Sequence, residues 1–200
     1  MTRRGTFSSR TPFSRKSALP DRSVVAYAGT FEAYQGLDLL LRAFALVRQR
    51  CPEAFLLLVG GTPEQVQRYR AAAAELGIDG DCLVRGRVPP EVARTALKQA
   101  SVLVSPRVEG TNTPLKVYEQ LASGIPLVAT RVLSHTQVLD ETICFLVDPE
   151  PRAMAAGIVE ALRNEPKRRE IVAQALARYE SCYSRPAYVA KVRRVLEMLR

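Results

Sequence analysis

The sequence predicts an α/β domain: a doubly wound, Rossmann-like parallel sheet of six strands with helices on both faces and further helices at the C-terminus. Two patterns carry this prediction. Short apolar runs with no polar alternation occur six times, as expected of strands buried on both faces. Each run is followed by residues with apolar side chains at helical spacing, and such alternation calls for parallel pairing. The size agrees, because 200 residues with 47% apolar and 24% charged side chains are enough for one domain with a full core.

Residues 1–22 (MTRRGTFSSRTPFSRKSALPDR) have no apolar periodicity and read as a disordered basic tail or linker remnant, with the domain spanning 23–200. Residues 24–28 form the first β-rich run, closed by Gly29 and Thr30. Residues 36–50 place Leu37, Leu40, Leu41, Phe44 and Val47 on one helical face. The second strand, 55–59, ends at Gly60-Gly61. Thr62, Pro63 and Gln65 then make a capping box with proline at the first helical position. Strands follow at 82–85, 102–105, 126–129 and 143–147. Helices are expected at 89–100, at 114–123, near Ser134, and over about 151–164, 166–181 and 186–199.

Composition excludes several functions. The basic excess sits at the ends: residues 1–22 hold six basic and one acidic side chain, and residues 163–200 hold ten and four. The body between them has 13 basic and 15 acidic groups, so it lacks the basic stripe of a nucleic-acid binder. The basic ends suit solvent or the surface of an anionic membrane. Cys51, Cys82, Cys144 and Cys182 show no metal or redox spacing and read as small packing groups in a reducing cytoplasm. One histidine, His135, argues against a histidine-based metal site or a Ser-His-Asp triad. The longest strongly apolar run, 54–59, falls far below the ~20 residues of a membrane span. No G-x-G-x-x-G follows the first strand, which disfavours a dinucleotide oxidoreductase.

In a doubly wound sheet, ligands bind beyond the C-terminal ends of the strands. That rule selects the loops at 29–36, 85–88, 105–116 and 130–137. The richest is SPRVEGTNTPLKVYEQLASGIPLVAT, residues 105–130. Thr113 reads as an N-cap with Pro114 at the first helical position, leaving the amides of Leu115, Lys116 and Val117 to face an anion. Lys116 then stands in the first helical turn, where the macrodipole disfavours a cation by roughly 0.3–1 kcal/mol. A phosphate between the ammonium and the amides explains that placement, and a surface pair with Glu119 is the plainer alternative. Glu119, one turn on, is placed to accept both hydroxyls of a ribose. Ser134 and Gln137 read as a capping box, and His135 as a structural residue or one facing the cleft.

This segment resembles the C-terminal, donor-binding domain of retaining glycosyltransferases of the GT-B fold, family 4. So do VVAYAGTFEAYQGLDLLLRAF (24–44), LLLVGG (56–61) and LVRGRV (83–88), in the same order and spacing, from about residue 24 to 165. By position, the resemblance implies that Glu119 is the second glutamate of the family's E-x7-E signature and binds ribose. Thr111 stands where the first glutamate would face the donor sugar, and Glu109, two residues earlier, serves only if the loop bulges. The Asn112-Thr113-Pro114-Leu115 amides match the loop that holds sugar and diphosphate, behind the Gly29-Thr30 turn. Arg85 and Val88 match the edge that meets the base. Where the family has an arginine and a lysine clamping the diphosphate, this chain has Thr30 and Gln35, which leaves Lys116 and Arg107 to replace them. Gln137 occupies a position that is often acidic in the family.

The implied chemistry is transfer of a sugar from a nucleoside diphosphate to an acceptor hydroxyl with retention. No metal or cofactor is expected beyond the donor itself. Lys116 would steady the leaving diphosphate, with Glu109 or Asn112 at the sugar. The acceptor site of such enzymes lies in an N-terminal domain that this chain does not carry. The expected partners are therefore a nucleotide sugar and a missing acceptor domain or partner chain, with peripheral membrane contact as a further expectation. The alternative is a non-catalytic nucleotide-sugar-binding subunit or relic.

Overall fold

The computed structural model describes residues 22–198; of the tail read at 1–22, residues 1–21 lie outside them. Six strands, β1 (Ser23–Ala28), β2 (Ala54–Val59), β3 (Cys82–Arg85), β4 (Val102–Ser105), β5 (Leu127–Thr130) and β6 (Phe145–Val147), form one sheet in the order β3-β2-β1-β4-β5-β6. Every pairing is parallel. The helices are α1 (Leu37–Arg50), α2 (Pro63–Glu75), α3 (Pro90–Leu97), α4 (Lys116–Leu121), α5 (Leu133–Thr136), α6 (Pro151–Arg163), α7 (Glu165–Cys182) and α8 (Arg185–Met198).

The two-residue period of a strand divides β1 between two cores. Val25 and Tyr27 pack on one face with Leu40 and Phe44 of α1, Tyr69 of α2 and Ile158 of α6. Val24 and Ala26 pack on the other with Ala96 of α3, Val117 and Leu121 of α4, and Ala175 of α7. Helices α1, α3 and α6 are amphipathic because each lays one side on the sheet and meets water on the other. By contrast, α8 contains no buried residue among those described.

The Thr62 capping box forms as expected: the Gln65 amide donates to Thr62 Oγ1 (3.3 Å) and the Thr62 amide to Gln65 Oε1 (2.9 Å). Arg22 differs from expectation. Its guanidinium pairs with Asp81 (2.7 Å) and donates to the Glu53 and Ala54 carbonyls. Asp81 in turn meets Arg48 of α1 at 2.6 Å. Arg22, read as the last residue of the tail, is thus fixed to the sheet edge and belongs with the domain. Cys51, Cys82, Cys144 and Cys182 are free thiols. Burial pushes the Cys82 and Cys144 thiols up to about 12, which makes both unreactive packing groups.

Strand order reverses between β1 and β4. Their C-terminal ends open the crevice in which the loops 29–36 and 106–115 face each other.

Candidate functional site

Lys116 is the first residue of α4, and its partly buried side chain enters the crevice. Its ammonium lies 4.2 Å from the centroid of the Tyr27 ring and donates to Gln35 Oε1 at 3.3 Å. Gln35 also donates to Thr30 Oγ1 at 3.5 Å, and the Tyr27 hydroxyl donates to the Thr30 carbonyl at 2.7 Å. Gly29 closes the pocket so tightly that a Cβ there would lie 3.2 Å from the ammonium. Tyr27, Gly29, Thr30, Gln35 and Lys116 thus form one cluster.

No carboxylate pairs with Lys116 among the described residues. The alternative partner, Glu119, instead lies 3.9 Å from Arg94 of α3, with both side chains more than half exposed. Burial, and secondarily the charge of Arg107, pushes the Lys116 pKa down from 10.5 to about 7. A partly buried cation with no counterion among the described residues marks a candidate anion site.

Arg107 is the second cation of the crevice. Nη1 donates to the Asn112 carbonyl (2.8 Å), its plane lies over Tyr34 at 5.0 Å, and its buried Nε has no hydrogen-bond partner among the described residues. Thr130 Oγ1 donates to the Arg107 carbonyl, and the Val108 amide donates to the Tyr34 carbonyl. Beyond it, Glu109, Gly110, Thr111 and Asn112 are exposed at the mouth.

Two sequence expectations fail in this loop. Thr113 does not cap the helix. Its hydroxyl donates to Gln137 Oε1 at 2.7 Å, and the chain continues through Pro114 and Leu115 as a turn before α4 starts. The Val117 amide is satisfied by the Pro114 carbonyl (3.0 Å), whereas those of Leu115 and Lys116 donate to no group among the described residues. Ser134 and Gln137 form no capping box either: Ser134 is buried inside α5, and Gln137 straps the loop instead. Its Nε2 donates to the Thr111 carbonyl at 2.9 Å while Oε1 accepts from Thr113. The spacing Ser-x-x-Gln suits a cap equally well, so the sequence alone could not show the strap.

His135 is structural. It is fully buried, its Nδ1 donates to the Thr130 carbonyl (2.8 Å), and its Nε2 accepts from the Ser105 hydroxyl (2.9 Å). Burial, the largest effect, holds the imidazole neutral with a pKa down at about 4, and the Thr130 carbonyl opposes this only in part. Between about pH 6.5 and 4 the unfolded chain therefore binds a proton that the folded chain excludes, so this group's contribution to stability falls as pH falls through that window. Ser105→Ala leaves Nε2 buried and unpaired, with an expected cost of about 1–3 kcal/mol in urea unfolding. An unchanged midpoint would mean that the hydroxyl contributes nothing.

A cleft of about 430 Å3 opens between α3 and α4. Lys116, Glu119 and Gln120 line it from α4, and Arg94 and Leu97 from α3. Arg85 and Val88, the expected base contacts, do not line it. Arg85 ends β3 on the outer edge of the sheet, and Val88 packs into the core beneath α3. Tyr27 and Gln120 were not singled out from sequence, whereas Gln35 was named there at a position that clamps the diphosphate in the family. The inward face of a strand and the buried face of a helix carry no mark that distinguishes site from core.

The fold places the crevice at the switch point of a parallel sheet, where doubly wound folds bind their ligands. A family model described as "Glycosyl transferases group 1" matches residues 22–164, and the chain belongs to that family. It is similar to D-inositol 3-phosphate glycosyltransferase of Acidothermus cellulolyticus, 31% identical over 173 residues covering 82% of this chain and 38% of that protein. It is also similar to phosphatidyl-myo-inositol mannosyltransferase of Mycobacterium tuberculosis, 30% identical over 78% of this chain and 43% of that one. The chain thus spans about two-fifths of these curated relatives. Among solved structures, Anabaena HepE in complex with UDP-glucose matches with a TM-score of 0.77 at 16% identity, covering 89% of this chain and 49% of that one. Sucrose-phosphate synthase from Thermosynechococcus elongatus matches at 0.75 and 24%, covering 90% and 46%. Among the described residues no helix is long and apolar enough to cross a membrane.

Proposed function

We propose that this chain is the donor-binding half of a retaining glycosyltransferase and binds a nucleoside-diphosphate sugar. The observation that carries this reading is Lys116: an ammonium drawn into the β1/β4 crevice with no carboxylate beside it among the described residues. Family membership supports it, as does a neighbour of the same fold solved with UDP-glucose.

In this reading the diphosphate lies against Lys116, with the Leu115 and Lys116 amides and the Arg107 guanidinium completing the cradle. As the sugar leaves, negative charge grows on the β-phosphate, and fixed cations in a partly dry crevice stabilise it most at that point. No metal is required for that role when two cations already meet the phosphates. Glu119 exchanges its loose contact with Arg94 for the ribose hydroxyls. The exposed Glu109–Asn112 turn, strapped by Gln137 and Arg107, faces the donor sugar. The acceptor hydroxyl comes from an N-terminal domain or a separate chain, since the chain spans only about two-fifths of these relatives.

A second reading, a binding half without transferase activity of its own, is favoured by Thr30 and Gln35, two neutral side chains hydrogen-bonded beside Lys116. A thermal-shift panel of nucleoside diphosphates and nucleotide sugars tests the binding itself. At a ligand concentration a hundredfold above Kd the expected stabilisation is about 2.7 kcal/mol. Glu119→Ala should reduce the shift for nucleotides and spare it for pyrophosphate. No shift with any member of the panel would overturn the proposal.

A further inference from the structure

Tyr27 stands near the C-terminal end of β1, where its side chain does more than fill the core. It is fully buried, and its hydroxyl donates to the Thr30 carbonyl at 2.7 Å, which fixes the direction of the ring. The ring face then meets the Lys116 ammonium, 4.2 Å from the centroid. A Cβ at position 29 would lie 2.7 Å from the Tyr27 hydroxyl and 3.2 Å from the ammonium, so Gly29 leaves the room in which the two meet. The electron-rich face of an aromatic ring attracts a cation, most strongly where water is excluded. The charged and titratable groups around Lys116 do not supply that attraction. Arg107, from the loop after β4, opposes the ammonium. His135 of α5 is buried and neutral, and Glu119, on α4 itself, turns to Arg94. Among the described residues, the ring and the Gln35 amide oxygen are the partners of the ammonium.

We infer that Tyr27 is a positioning residue of the anion site: its ring face stands where a carboxylate would otherwise hold Lys116, and it keeps the ammonium in the crevice without neutralising the charge that a phosphate needs. This rests on the nucleoside-diphosphate reading above and adds a residue that acts through Lys116 and touches no ligand. The advantage lies in what an arriving anion has to overcome. A carboxylate beside a buried ammonium forms an ion pair, and a phosphate entering that pair meets a like charge. A ring has no net charge, so it can share the ammonium with a phosphate. Gln35, also buried, is neutral in the same way. Without the ring, burial and the charge of Arg107 would act unopposed and favour the neutral amine, which attracts no anion.

The test joins calorimetric titration of the full chain with pyrophosphate, at about pH 5.5 and about pH 8, to NMR titration of Lys116 in the free protein. An arginine keeps its charge over that range, while His135 stays neutral and burial holds the Tyr27 hydroxyl protonated. The protonation of pyrophosphate is common to all variants and cancels in their ratios. Tyr27→Leu, which removes the ring, should bind within about twofold of the wild type at the lower pH, where the amine is protonated in either case, and about fivefold or more weaker at the higher. Tyr27→Phe, which returns the ring face, should recover wild-type affinity to within about twofold at both. A pentafluorinated phenylalanine at position 27 keeps the size of the ring and reverses the charge of its face. It should behave as Tyr27→Leu does, and it carries the test if the leucine variant fails to fold. In the free protein the midpoint of the Lys116 titration, assigned with Lys116→Met, should fall with the fluorinated ring and stay in place in Tyr27→Phe. A ratio to wild type that is the same at both pH values, or a midpoint that the fluorinated ring leaves unmoved, would overturn this inference. Failure of pyrophosphate to bind the wild type would overturn the anion reading beneath it, and the NMR midpoint would still report on the ring contact.

Discussion

Replacing Lys116 with methionine is expected to weaken nucleoside-diphosphate binding about ten- to hundredfold and to leave the free protein as stable as before, or more so. The two effects have one cause. A charge-assisted bond from an ammonium to phosphate is worth roughly 1.5–3 kcal/mol, and about 1.4 kcal/mol is a factor of ten in Kd. In the absence of ligand the same ammonium is buried against Tyr27 with, among the described residues, only the neutral Gln35 amide to receive it, so its removal relieves a cost. Methionine keeps the length of the stem and can lie on the Tyr27 ring.

The pH dependence provides a second signature. The Lys116 pKa is about 7 in the folded chain against 10.5 for the free side chain, chiefly through burial. Below pH 7 both states hold the proton. Between about pH 7 and 10.5 the unfolded chain holds one more, so stability from this group rises with pH through that window. Anion affinity runs the opposite way, because the ligand needs the ammonium, and Kd should rise above about pH 7. Lys116→Met should lose both trends. Parallel pH profiles of wild type and variant would remove Lys116 from the site.

Gly36→Ala is expected to be a strongly damaging single-methyl substitution beside the crevice, costing roughly 2–4 kcal/mol, or about 5–15 °C in Tm. Gly36 has φ 73°, and a Cβ there would lie 1.9 Å from the Pro106 carbonyl oxygen. That neighbour is backbone and cannot rotate away, so the loops 29–36 and 106–115 would be driven apart and Gln35 pulled from Lys116. Gly77→Ala is the control. Its φ of 67° carries similar conformational strain, but no atom lies within 4 Å of the added methyl. The excess of Gly36→Ala over Gly77→Ala therefore measures the close approach of the two loops. Equal Tm values for the two variants would show that the approach costs nothing.

The sheet was legible because each strand is an unbroken apolar run set by burial on both faces. Within one or two residues, 24–28, 55–59, 82–85 and 102–105 became β1 to β4. Helix starts were legible where a side chain caps its own helix, as Thr62 does. The prediction failed at α4 because the Thr113 hydroxyl is taken by Gln137, 24 residues away in sequence. A cap is a local competition for one hydroxyl, and a distant partner that wins it moves the helix start from Pro114 to Lys116.

From the sequence alone followed the α/β class, the parallel sheet, the four loops at the strand ends and the choice of Lys116 as the cation of interest. Those follow from periodicity and from a charge placed against a helix dipole, both of which are local properties of the chain. Only the tertiary structure decided what surrounds that cation: Tyr27 beneath it, Gln35 beside it, and Glu119 turned to Arg94. Whether a side chain finds its partner depends on distances between segments far apart in the chain, and those distances exist only once the sheet has brought the segments together.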